Sequence, residues 1–377
     1  MEGFLKALSP DDAAMADYVA THHWGELRDT LQKMISDIDT IRTIVSDDPE
    51  VAPVTEYITD IDIRHALVER IRALGRQLEP GALHDHVNAT MLGVFMVAPV
   101  DELQRFVTEC ENCPNGTLGI LRDTNVAAPL ALRAFLPTGG PNSANGPAAS
   151  RPTSKKDRHA FAKKTKLRNA DLCVFTGFTD PHAAHIFPYA TSRDRDFYNL
   201  NSLLLRSWGL DQYNRWAAQY GDLSTTDSRK NGITMSSHLH TWFDSAQFAL
   251  KPMRHLAPDD RTVVVQWHWL KAPKFEPKKK IHRGDSTDAI FQYCGFRDRD
   301  WGTHGLAHRE SGIRIRTGQI FRITGGKPED VPSWDLLELS WNLLRVAAIC
   351  GAADVDDDYW DESDDDDESC IGVETDA

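Results

Sequence analysis

The chain of 377 residues is short of several things that would have fixed its class at once. It has only six cysteines, too few for a disulfide framework at this length. Cys110 and Cys113 form a CxxC, but no second CxxC and no nearby HxxxH completes a four-ligand zinc site, so the pair reads as two reduced thiols at a helix end. No apolar run approaches the ~20 residues that span a membrane. The N-terminus carries Glu2, Lys6, Asp11 and Asp12, not a basic start leading into an apolar core. The expectation is an intracellular protein, in the nucleus or the cytoplasm, with no membrane partner. No GxxxxGK[ST] phosphate loop and no GxSxG elbow occurs, which removes two large enzyme classes.

Positive charge is also absent where negative charge is densest. Residues 354–377 hold 13 Asp and Glu residues and no Lys or Arg, whereas the whole chain carries −14. The remainder is therefore nearly neutral, and the global charge says little about partners. Like charges repel and few apolar groups offset the ordering entropy, so 351–377 is expected to be a disordered acidic tail.

The fold class expected is α+β. Residues 1–135 read as a mainly helical region. In Ile61–Leu78 the stripe Ile63, Leu67 and Ile71 recurs at helical spacing. Pro99–Cys110 places Val100, Leu103, Phe106 and Val107 on one face, with Asp101 as a plausible N-cap. Such stripes serve a core or a partner helix, so a protein partner through these helices is one expectation. His84 and His86 read as an exposed pair in a polar turn. Residues 136–156, rich in Gly, Pro, Ser and Asn, read as a flexible linker, and 157–350 as a second domain.

Eight cations and one acid crowd residues 151–168. Lys155, Lys156, Arg158, Lys163, Lys164, Lys166 and Arg168 are candidate contacts for a nucleic-acid backbone. A solvated helix face or a nuclear-import signal is the alternative.

Next come the residues that could do chemistry. Cys173–Thr176 reads as a strand, Gly177 as a turn, and Ala183–Ile186 as the returning strand that carries His185. Well downstream, Asn231 is followed nine residues later by His240, and Asp244 lies one helical turn beyond. That i, i+4 spacing puts imidazole and carboxylate on one face, and both can ligate Mg²⁺, Mn²⁺ or Zn²⁺. Ser236 is a reasonable N-cap for this helix. His238 is expected to face elsewhere, and His182, three residues before His185, to face the opposite side of the strand. Asn201 begins a similar run but has Leu210 where the histidine should be.

The segments Ala183-Ala184-His185-Ile186, Pro188, Asn231, His240, Asp244 and Phe248–Pro252 together resemble the HNH nucleases, specifically their fungal branch. The resemblance continues more faintly to about residue 350 and does not clearly cover 1–135. It implies a ββα-metal nuclease core, with added strands and a C-terminal helix, that hydrolyses nucleic acid, DNA by preference, with a divalent ion, Mg or Mn before Zn. It implies that His185 is the general base, that Asn231 orients it or binds near the metal, and that His240 is a metal ligand. Many HNH enzymes carry an Asp or His ligand immediately before the base; here that position is Ala184. The alternative reading is therefore a catalytically degenerate module that binds nucleic acid or protein.

Downstream, Phe248–Lys251 and Thr262–Trp269 read as strands and Ile313–Ile323 as a hairpin turning at Thr317–Gly318. Lys271–Arg283 reads as a second basic loop and Trp334–Ala348 as a helix with Leu337, Trp341 and Leu344 on its inner face.

Overall fold

Two helices buried along almost their whole length hold the centre of the molecule. A computed structural model describes residues 57–136, 155–188, 191, 196–297, 305–309, 311–352, 355 and 359. In chain order the helices are α1 (Ile61–Leu78), α2 (Ala89–Val97), α3 (Val100–Asn112), α4 (Pro114–Phe135), α5 (Lys155–Arg168), α6 (Phe197–Tyr220), α7 (Ser237–Asp244), α8 (Thr287–Tyr293) and α9 (Trp334–Cys350). The strands are β1 (His84–Asn88), β2 (His182–His185), β3 (Gly232–Met235), β4 (Phe248–Pro252), β5 (Thr262–Trp269), β6 (Lys280–His282) and β7 (Ile320–Thr324). Every residue of α2 is buried, and so is nearly every residue of α9. A helix that is apolar all round belongs inside a fold. The Asn88 side chain caps α2 by accepting from the Met91 amide at 2.8 Å. At the end of α9, Gly351 turns the chain with φ +71, and a side chain there would run into the Phe275 carbonyl.

The strands form three small antiparallel sheets, β1–β6, β2–β3 and β4–β5–β7. All eight residues of β5 are buried, so both its edges are covered. That explains where β7 goes. It does not fold back on Ile313–Ile315 as the sequence suggests; Phe321 pairs with Val265 across to β5. The turn at Gly318 is docked there by hydrogen bonds between Trp267 and the backbone of Gly318 and Gln319. His84 and His86 likewise lie on a paired strand, with His86 half-buried and 2.7 Å from Glu79.

The inner face of α1 is rotated from the expected stripe. Leu67, Val68 and Ile71 are buried, but Ile63 is 50% exposed, and Arg64, Arg72 and Gly75 take inner positions. Long guanidiniums can sit there because acceptors await them. Arg64 donates to the carbonyls of Thr59, Phe95 and Ala98. Arg72 is ion-paired with buried Asp85 and donates to Thr287 and the Asp285 carbonyl. Asp101 lies in the first turn of α3, two residues past the cap position held by Pro99.

The described residues all fall in one compact unit, and one continuous set of buried side chains runs from Tyr57 through α1–α4 to α6, the sheets and α9. The inner faces of the described N-terminal helices are thus occupied from within the chain. The central part of the expected linker, 137–154, lies outside the described residues, as do residues 1–56 and most of the acidic tail. No helix among the described residues is long and apolar enough to cross a membrane.

Removing one partner of the buried Arg72–Asp85 pair strands the other. Arg72→Ala should cost about 3–5 kcal/mol of stability, and Arg72→Met with Asp85→Leu should recover much of it. Urea unfolding of the three proteins checks this.

Candidate active site

The short strand β2, HAAH, pairs with β3, GITM, in the register His182 to Met235, Ala184 to Ile233 and His185 to Gly232. The expected partner of Ala183–Ile186 was Cys173–Thr176, and that pairing is not formed. Gly177, at φ +69, closes residues 173–177 into a turn by donating to the Cys173 carbonyl. The turn then docks on β3 through the Val174 amide and the Thr234 carbonyl, 3.1 Å apart. The two histidine-bearing halves of the site thus pair directly, although some 46 residues separate their strands. Much of the intervening segment is α6, kinked at Gly209.

Helix α5 lies against this hairpin. Phe161, Thr165 and Arg168 follow one another at i, i+4 and i+7 and form its inner face. The Phe161 ring stacks on the His185 imidazole, centroids 4.0 Å apart and planes 6° from parallel. Gly232, opposite His185, permits the approach: a Cβ there would stand 2.7 Å from the Thr165 hydroxyl and 3.0 Å from Phe161. Burial, aided by the charge His240 would carry, pulls His185 down to about 4. The ring is therefore neutral at physiological pH, the form that can accept a proton.

Asn231 is fully buried and immediately precedes β3. Its Oδ1 accepts from the Phe187 amide at 2.8 Å, and its Nδ2 donates to the carbonyls of Phe187 and Thr226 at 2.7 and 3.0 Å. Its backbone carbonyl accepts from Ile186. Both polar atoms of the side chain are thus occupied with backbone on either side of the hairpin, which argues against the expected role as a metal ligand. They grip the chain just beyond His185.

Helix α7 begins two residues after Met235, the cross-strand neighbour of His182. That connection carries His240 back over the start of β2. His240 Nδ1 stands 3.4 Å from His182 Nδ1, and His240 Nε2 is 3.5 Å from an Asp244 carboxylate oxygen. His182 was expected to be out of reach, and the fold brings it in. His238 turns instead toward Trp242, as its position suggests. Burial and the neighbouring His182 hold His240 below the usual imidazole range, and burial pushes the Asp244 carboxyl up to about 7. Ala184, where a ligand was expected, is buried in the core with Ile233. No group of three His, Cys, Asp or Glu side chains among the described residues stands ready to enclose a metal.

The basic helix divides its cations. Lys163 and Lys164 are exposed, and Lys166 lies 3.6 Å from Asp180. Arg168 does not face solvent as a phosphate contact would. It donates to the carbonyls of Arg229, Gly232 and Asp330, which ties α5 to the root of β3. The side chains of Lys155, Lys156 and Arg158 lie outside the described residues. In the second basic loop, Lys278 is engaged with Tyr359.

Two outcomes follow for the site. Asn231→Asp would add a ligand if this residue bound metal; as a clamp it loses two donors and leaves buried carbonyls unpaired. It should lower stability by at least about 2 kcal/mol without raising metal affinity, as read by urea unfolding and calorimetry. The second concerns pH. His185 and the fully buried His268, which burial pulls to about 3, both stay neutral in the native state. The unfolded chain protonates both from about pH 6.5 downward. Their contribution to stability is thus complete above pH 6.5 and is lost as pH falls toward 4. The urea midpoint should hold steady above pH 6.5 and drop below it, and His268→Gln should flatten the drop.

Comparison with known proteins bears on the segment that contains these residues. No curated protein and no solved structure matches the chain. A family model does, that of the HNH endonucleases, over residues 173–251. The matched segment begins at the turn docked on β3, contains His182, His185, Asn231, His240 and Asp244, and ends in β4. Over residues 173–251, and not beyond, the chain is similar to the HNH endonucleases.

Proposed function

We propose that this domain is a ββα-metal nuclease site, formed by β2, β3 and α7, and that the protein hydrolyses phosphodiester bonds in nucleic acid, DNA foremost, with a divalent ion. One observation carries the reading. His185 is held rigidly at the end of a strand by the stacked Phe161 ring, and the helix that follows β3 carries a second imidazole, His240, with the Asp244 carboxylate 3.5 Å from it. A base and an adjacent set of nitrogen and oxygen donors are what hydrolysis of a phosphodiester requires.

His185 takes the proton from water as the water oxygen bonds to phosphorus. The bond from phosphorus to the leaving sugar oxygen breaks, that oxygen takes a proton from a second water, and the hydroxide so formed is neutralised by the proton His185 gives up. Phe161 covers one face of the imidazole and fixes its direction. Protonating His185 inside its pocket is costly, and the negative charge of a bound phosphodiester offsets that cost by raising the imidazole pKa. Asn231 positions the base through the Phe187 backbone. The donors around His240, imidazole and carboxylate, suit a divalent ion. When bound, such an ion neutralises charge on the phosphate and on the leaving oxygen. Lys163 and Lys164 are the exposed cations best able to meet the phosphate backbone.

A second reading has its own observation. Ala184 is buried in the core and supplies no ligand in front of the base. On that reading the domain binds nucleic acid without cutting it. A plasmid-nicking assay with Mg²⁺, Mn²⁺, Zn²⁺ or no metal separates the two. Nicking that needs an ion, and that falls about a hundredfold to ten-thousandfold in His185→Ala, is the expected result. Salt-sensitive binding with no cleavage under any ion would leave the binding module as the function.

A further inference from the structure

We infer that a cavity walled by α1, α6, β4 and α9 is a binding site for a small phosphate monoester with a flat apolar body, a mononucleotide in size, held by Arg64, Lys251 and Arg345. The cavity measures about 380 Å³, a volume ordinary for a small-molecule site. Among the described residues that line it are none of His182, His185, Asn231, His240 and Asp244. Arg64 and Arg345 lie outside the segment that is similar to the HNH endonucleases. Binding there does not depend on the nuclease reading.

The first support is the state of the two guanidiniums, both buried. Arg64 donates from Nε to the Thr59 carbonyl and from Nη1 to the carbonyls of Phe95 and Ala98. Its Nη2 makes no hydrogen bond among the described residues. Arg345 donates to the carbonyls of Trp341 and Tyr57 and to the side-chain oxygen of Asn342, and its Cζ lies 4.3 Å over the Trp341 ring. A guanidinium has five N–H donors, so each arginine keeps donors in hand. The acceptors just named are all neutral. They fix both side chains in place without cancelling their charge, and a fixed fork of donors suits phosphate oxygens.

The second support is the crowding of like charge. Lys251 of β4 lines the same cavity. Burial, and then Arg345, hold its ammonium below the ordinary range. Burial pulls Arg345 down to about 9, with Tyr57 opposing and Arg64 adding to the pull. Burial likewise pulls Arg64 down to about 10, against the influence of Asp60. Cations gathered in this way repel one another, and an anion seated among them offsets the cost of their burial. The carboxylates that line the cavity are disposed otherwise. Asp60 and Asp101 are exposed to solvent, and Glu338 is engaged by Arg215 at 3.4 Å and by the Trp216 indole at 3.2 Å.

The third support is the rest of the lining. Trp208 is a buried wall residue, and its indole N–H meets no acceptor among the described residues. Val97, Pro99 and Pro252 add apolar surface. Surplus donors beside apolar walls call for a ligand with several acceptors on an apolar body. A phosphate monoester brings about two negative charges and three acceptor oxygens, whereas a carboxylate brings one charge and two oxygens. Three cations favour the phosphate, and the apolar walls favour a ring such as a nucleobase behind it.

The test is calorimetry on the full chain in EDTA, with deoxyadenosine monophosphate, inorganic phosphate, benzoate and deoxyadenosine as probes. The nucleotide should bind at one site, and each of the other probes about tenfold more weakly or less well still. Lys251→Met should weaken nucleotide binding about tenfold or more. Gln212→Trp, which fills the cavity from α6 and leaves every cation in place, should do the same, and it decides the matter if circular dichroism shows that Lys251→Met fails to fold. His240→Ala should leave the affinity within about twofold of the unaltered protein. No nucleotide binding up to about 5 mM, binding of benzoate or deoxyadenosine as tight as that of the nucleotide, or a loss below about threefold in folded Lys251→Met would each overturn the inference. So would loss of binding in His240→Ala with none in Lys251→Met, since the nucleotide would then sit among the histidines. Nucleotide binding that depends on Lys251 in a protein that never nicks a plasmid would retain the inference while the nuclease reading falls.

Discussion

The carboxamide of Asn231 is the constraint on which the site depends. Its oxygen and nitrogen join three backbone groups, the amide and carbonyl of Phe187 and the carbonyl of Thr226. Those groups belong to segments that a long helix separates in sequence. Held by one buried side chain, the exit of β2 and the entrance of β3 keep a fixed relation. His185 lies two residues before Phe187, and β3 leads directly into α7. The positions of both histidines therefore descend from one side chain that touches neither. Buried amides without partners are costly, so the clamp closes fully or the hairpin loses its register.

Around that clamp, elements with no chemistry of their own set the environment. Helix α5 contributes Phe161 to cover the imidazole and Arg168 to bind three carbonyls beneath the hairpin. A helix whose composition suggests only attraction to phosphate is thus half structural, with its solvent face left for the exposed lysines. Helix α6 occupies the gap between the two halves of the site. Its Trp216 lies fully buried and donates to Glu338 of α9, which links the insertion to the central helix. Helix α6 of this excursion is thus tied to α9, and a two-stranded hairpin that would be marginal alone gains support.

The electrostatics of the site have a shared cause. His185, His240 and Asp244 are all displaced toward their neutral forms, and burial is the first reason in each case. A pocket that disfavours charge on its own groups strengthens the attraction of any charge introduced later. A phosphodiester and a divalent ion are charges of opposite sign that would enter together. The proposed chemistry thus begins from a site in which neither base nor ligands carry full charge, and in which substrate and ion supply it.

Much of this was legible in the chain itself. The helix Ile61–Leu78, the strand Thr262–Trp269 and the helix that puts His240 and Asp244 on one face follow from periodicity and spacing, which are properties of neighbouring residues. The residues around His185 and His240 were enough to suggest the family. What the sequence could not supply was pairing at a distance. Which segment lies beside β2, whether Asn231 points at a metal or at backbone, and whether Arg168 faces solvent or carbonyls depend on partners tens of residues away. His182 shows the difference most clearly. Strand alternation set its face from the sequence alone, but only the tertiary fold, by starting α7 just beyond its cross-strand neighbour, placed a second imidazole 3.4 Å from it.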